Sequence, residues 1–159
     1  MIDLQVWLDA MEERYYELKS FLPKNISDEL NFKIESLDYL ESYILDTYKT
    51  TDEFLEADLK TLIRDKMARY FGEVARLNVE KCAWYIQRED KKSIYFDIPV
   101  IYVVSPGRCI DSPFHKITAT IQRNNGNYLK KMITNYQRLS REANQLEIFE
   151  NPYNMPVYH

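Results

Sequence analysis

Near residue 80 the apolar residues stop recurring at helical spacing and begin to run together, and this change of period excludes an all-helical bundle and an all-β barrel alike. Before it, Leu59, Leu62, Ile63, Met67, Tyr70, Val74 and Leu77 form a stripe three to four residues apart. The stripe predicts a helix over 58–80, opened by Asp58. Ala68, Gly72 and Ala75 lie nearly opposite the stripe. A helix that is apolar on one side and small on the other is expected to be the central one, because small side chains let a second element approach closely. After the change, Cys82–Gln87 reads as a strand and Glu89-Asp90-Lys91-Lys92 as a polar turn. Ile94–Asp97 is expected to be the partner strand of a hairpin. Pro99 interrupts the pattern, and Val100–Val104 is the strongest strand, β-branched and aromatic throughout.

Helices flank this centre. Ile2, Val6, Trp7, Ala10, Met11, Leu18, Phe21 and Leu22 predict one from the start of the chain to Pro23. Ser27 reads as the N-cap of a second, with Asp28 and Glu29 in its first turn and Leu30, Ile34, Leu37, Ile44 and Tyr48 on one face. Thr50-Thr51-Asp52 ends it and caps a short turn, Glu53 to Ala57. Ser105-Pro106-Gly107 is a turn. Ser112-Pro113 fits N-cap and N1 of a helix from Phe114 to about Arg123, although Thr118 and Thr120 also permit a strand there. Asn124-Asn125-Gly126-Asn127 is a turn, and Tyr128 to about Ala143 is the last helix. The expectation is a single α+β domain over 1–159. Its parts are an acidic helical part at 1–57, the central helix at 58–80, a small antiparallel sheet at 82–104, a helical part at 112–143 and an extended tail at 144–159.

Charge divides the chain more sharply than its net of −4 suggests. Residues 1–60 carry 15 acidic and 6 basic side chains, a net of −9; residues 61–159 carry 10 and 15, a net of +5. The 3 Gly argue against a glycine-rich phosphate loop. No apolar run is long enough to span a bilayer, and Met1-Ile2-Asp3-Leu4 lacks the basic-then-apolar order of a signal peptide. Cys82 and Cys109 are therefore expected as free thiols in a cytoplasmic protein.

Catalytic parts are scarce. His115 and His159 are the only histidines, and no ligand spacing suggests a metal or cofactor. Cys109 with His115 is the one nearby thiol–imidazole pair, with Asp111 or Asp97 to orient it, but a packing cysteine beside a loop histidine is the favoured reading. Glu73 sits between Arg69, four residues before it, and Arg76, three after. Those spacings permit ion pairs on a helix surface, or a polar pocket of Arg69, Glu73, Arg76 and Trp84. No residue is assigned a catalytic role.

Binding surfaces are better represented. The chain has 13 Tyr, a residue suited to core rims and to recognition surfaces. Glu12, Glu13, Tyr15, Tyr16, Glu17, Tyr39 and Tyr43 mark an acidic, tyrosine-bearing surface suited to a basic protein partner. Alternatively, residues 106–141 carry seven cations against Asp111 alone. There Lys130, Lys131, Arg138 and Arg141 would hold phosphates and Tyr136 would stack on bases. Either charged surface also reads as an ordinary solvated face, or as one half pairing with the other.

Tyr70-Phe71-Gly72-Glu73, then Trp84 in a strand, Ser105-Pro106 after an apolar strand, and Pro113-Phe114 entering a helix resemble a loose class of small bacterial proteins. Some of these resemble immunity proteins that neutralise toxins delivered between bacteria. The resemblance covers roughly residues 55–135. It implies non-catalytic binding and carries over no catalytic residues; the acidic surface makes a basic toxin domain the kind of partner expected.

Overall fold

A computed structural model describes residues 1–105 and 109–145, which form eight helices and a three-stranded sheet, an α+β architecture. The helix expected up to Pro23 is two. Asp3 caps α1 (Leu4–Asp9) by accepting from Val6 N at 3.1 Å, and the chain bends at Ala10 before α2 (Met11–Phe21). Leu22 turns extended before Pro23, as a residue preceding proline must.

The second helix departs from expectation. Ser27 does not cap a long helix but closes a single turn, α3 (Lys24–Ser27), and α4 begins only at Ser36 (Ser36–Thr47). Between them Phe32 adopts φ 61° and donates its N–H to Tyr70 Oη at 3.0 Å. Packing of that ring against the centre of the fold overrides the local helical pattern.

The central stripe is also divided. Thr50 accepts from Glu53 N at 3.2 Å, and Glu53 accepts from Lys49 N at 2.7 Å. These caps start α5 (Thr51–Thr61), well beyond the expected Ala57. Leu62 then turns left-handed at φ 53°. The Asp58 carboxylate accepts from Arg64 N at 2.8 Å and so caps α6 (Ile63–Asn78) from outside. Ile63, Met67, Tyr70 and Val74 are buried as the stripe requires, whereas Leu59, Leu62 and Leu77 face solvent.

Strand β1 (Cys82–Ile86) pairs antiparallel not with Ile94–Asp97 but with β2 (Pro99–Val103), Trp84 opposite Ile101. Residues 94–97 form turns, with one isolated bridge between Gln87 and Phe96. Pro99 does not interrupt a strand; it begins one, where its missing N–H is tolerated. A third strand, β3 (Cys109–Asp111), was not expected and pairs with the far edge of β2. The register sets Cys82 and Cys109 on either side of Val103, about 10 Å apart by strand spacing, beyond disulfide reach.

Ser112 caps α7 (Pro113–Arg123) and Asn124 ends it in the left-handed region, as read from sequence. Helix α8 runs Tyr128–Gln145. Its first N–H groups, of Tyr128 and Leu129, are both taken at 2.9 Å by Glu41, a fully buried carboxylate on α4. Buried side chains from α2, α4, α6, α7, α8 and the sheet form one cluster with α6 at its centre. Asn144 and Gln145, expected in the tail, continue α8; the rest of the tail and Pro106-Gly107 lie outside the described residues. No helix among the described residues is long and apolar enough to cross a membrane.

Candidate functional site

Gly72 is where the site begins. Its missing side chain leaves room for the Trp84 indole of β1; a Cβ there would lie 2.1 Å from the ring. The indole is thereby aimed along α6, and Nε1 donates to Glu73 Oε1 at 2.7 Å. Arg76 donates to both oxygens of Glu73, Nε at 2.9 Å and Nη2 at 2.8 Å. Glu73 in turn holds the Arg76 guanidinium above its usual value.

Arg69 does not pair with Glu73. Helical side chains lean toward the N-terminus, and Arg69 reaches back one turn instead, its Nε donating to Asp65 at 2.8 Å. Nη1 donates to the carbonyl of Trp7, and the guanidinium lies 3.8 Å over the Trp7 ring. Trp7 meets Trp84 edge-on, centroids 4.8 Å apart. Glu73, Arg76 and Trp84 thus meet directly, whereas Arg69 joins them only through Trp7, a bridge the sequence did not reveal. Only the pairing of an early helix with a distant strand distinguishes Trp7 from an ordinary core residue. Burial draws the Arg69 guanidinium below its usual value, against the pull of Asp65; it still carries its proton at neutral pH.

Beside this network a cleft of about 360 Å³ opens between α2 and α6. Its aromatic wall is Tyr15, Phe32 and Tyr70, with centroids 4.7 Å apart for Tyr15–Phe32 and 5.0 Å for Phe32–Tyr70. The two hydroxyls are tied down elsewhere. Tyr15 donates to Leu30 O at 2.7 Å, and Tyr70 shares a 2.6 Å bond with Ser36. Lys66 and Arg69 stand on the α6 side, and Met11, Glu12 and Tyr16 at the mouth.

Of the predicted acidic surface, Glu12 and Glu13 are exposed and make no ion pair among the described residues, and Tyr16 is 59% exposed. Tyr15 is half-buried. Glu17 is engaged, 2.7 Å from Arg14 and 3.5 Å from Lys66, and Arg14 above all holds its carboxyl below the usual range. A broad depression of about 610 Å³ continues past Tyr16 along α2 to Phe21. Tyr39 and Tyr43 do not join this face. They belong to α4, which packs on α7 and α8, and Tyr43 rests edge-on against Tyr48.

The predicted nucleic-acid surface is divided. Tyr136 is fully buried and donates to Asp111 at 2.7 Å, so its ring is not available for stacking on a base. Lys116 also pairs with Asp111, at 3.0 Å. Lys130 pairs with Asp38 of the acidic half at 2.8 Å, and Arg138 with Glu142. Lys131 and Arg141 are exposed. Cys109 and His115 share no hydrogen bond among the described residues; the imidazole lies against Tyr95 instead. Burial pushes the Cys109 thiol up to about 11, away from the thiolate a nucleophile needs. Among the described residues no three His, Cys, Asp or Glu side chains converge as metal ligands would.

The fold and its gathered residues define an α+β protein with an aromatic cleft beside an acidic helix face. No family model, curated protein or solved structure matches the chain.

Proposed function

We propose that the chain is a non-catalytic protein-binding module that docks a basic partner on the outer face of α2, and that its specific role is to neutralise that partner as an immunity protein does a toxin. One observation carries the reading. Glu12 and Glu13 remain exposed and unpaired beside exposed Tyr16 and Phe21, while cations such as Lys130 and Lys66 are engaged by acidic neighbours. Apolar rings flanked by open carboxylates suit an interface with a lysine- or arginine-rich surface. Glu12 and Glu13 also sit in the first turn of α2, where the helix dipole favours negative charge, so they cost the fold nothing.

The test is capture of the tagged protein's partners from its native host, with and without nuclease. A stoichiometric, nuclease-resistant protein with a basic surface is expected. Partners that all disappear with nuclease would instead favour Lys131 and Arg141 and a nucleic-acid role.

A further inference from the structure

We propose that the cleft between α2 and α6 binds a carboxylate carried on an apolar body. The reason lies in what is left open inside it. Arg69 is only 5% exposed, and three contacts fix its guanidinium: Asp65 on Nε, the Trp7 carbonyl on Nη1 and the Trp7 ring beneath. Nη2 has no acceptor among the described residues. Yet it is not sealed from solvent, because Gln87 Oε1 is the only fully buried side-chain N or O atom there without a partner. Arg69 lines the cleft, and with Nε and Nη1 engaged Nη2 is the donor it has left to offer there.

A guanidinium held in one orientation loses little freedom on binding, and Nη2, its remaining donor, can make one charge-assisted hydrogen bond to a carboxylate oxygen. Lys66 lines the same cleft, its Nζ held by Thr61 O at 2.9 Å and lying 3.5 Å from Glu17. The carboxylates around the cleft other than Glu12 are occupied but leave Nη2 open: Asp65 accepts from Nε of Arg69, and Glu17 pairs with Arg14 and Lys66. Glu73 is saturated by Arg76 and Trp84, and Glu12 stands exposed at the mouth. With the Tyr15 and Tyr70 hydroxyls bonded elsewhere, these residues present ring surface to the cleft. A volume of about 360 Å³ is at the small end of ligand pockets and suits an arylalkyl acid or one acidic side chain of a peptide.

This inference does not rest on the protein-binding reading, and Glu12 separates the two. Glu12→Gln removes a repulsive charge at the mouth and is expected to tighten a carboxylate severalfold, whereas it weakens a basic partner. The experiment is an NMR titration of the full chain with 3-phenylpropionate, its methyl ester and 3-phenylpropylamine. Saturable shifts centred on the Trp7 indole and α6 amides are expected for the acid, with the ester and amine at least roughly tenfold weaker. Arg69→Lys keeps the charge, loses the fixed Nη2 donor and is expected to weaken the acid to a similar degree. Because Arg69 is buried, its variant is read only if it melts as the wild type does; the exposed Glu12→Gln carries the test otherwise. No saturable binding of the acid, equal binding of ester or amine, or no response to Glu12→Gln would each overturn the assignment.

Discussion

Gly72 and Trp84 show how much one absent side chain decides. Gly in mid-helix costs about 1 kcal/mol relative to Ala. Here the cost is offset because the indole fills the space and reaches Glu73. Gly72→Ala is therefore expected to destabilise the protein by about 1–3 kcal/mol despite the better helix propensity, because the ring is enclosed and must shift. Thermal melting checks this, and indole fluorescence should report the displaced Trp84. At the same scale, spacing made the meeting of Glu73 with Arg76 legible but not the partner that Arg69 takes. Arg69 had equally spaced acids in Asp65 and Glu73, and which one it meets depends on Trp7, sixty-two residues away.

At the scale of elements, capping signals were legible where they acted locally. Ser112-Pro113 begins α7 and Asn124 ends it. They failed where a residue acts across a break, as Asp58 does: it reads as the opening of a helix and in fact lies in α5 while capping α6. The fixed consequence is Leu62 in the left-handed region, 57% exposed. A branched side chain gains little there and strains the backbone. Leu62→Gly is expected to stabilise the protein by about 1 kcal/mol, read as a raised midpoint in urea with an unchanged slope. A loss of stability would mean that Leu62 packs more than its exposure implies. The sheet was legible as an antiparallel unit but not in register, since Pro99 reads as a breaker in isolation and as a strand's first residue only once β1 is beside it. Strand β3 has three residues, too short to leave a period-2 signal.

Across the whole molecule, buried tyrosines set a limit on stability. Burial pushes the Tyr70 phenol up to about 12 and raises those of Tyr48 and Tyr136 as well. In the unfolded chain all three ionise near the ordinary value of about 10. Above that pH the native state retains protons that the unfolded state has lost, so stability is fully present below about pH 10 and declines as pH rises toward 12. The slope is at most about 1.4 kcal/mol per pH unit for each such phenol. Melting temperatures across this range are expected to be flat, then to fall, with phenolate absorbance rising together with unfolding rather than before it. The charge split, legible from composition, has a partial answer in three dimensions: Lys130–Asp38, Lys66–Glu17 and Arg64–Asp58 join the two halves, and Glu12 and Glu13 are among the carboxylates that make no ion pair among the described residues.

Those two carboxylates are where the account is most exposed. The measurement is the affinity and association rate of the captured partner for wild type and for a Glu12→Lys, Glu13→Lys double variant. Charge reversal in the first turn of α2 costs the fold roughly 0.3–1 kcal/mol per site, small enough for both proteins to be folded at the assay temperature. At least about a tenfold loss of affinity is expected, mainly through slower association and with a weaker dependence on salt. Unchanged affinity and rate in the folded variant would contradict it and move the interface away from α2.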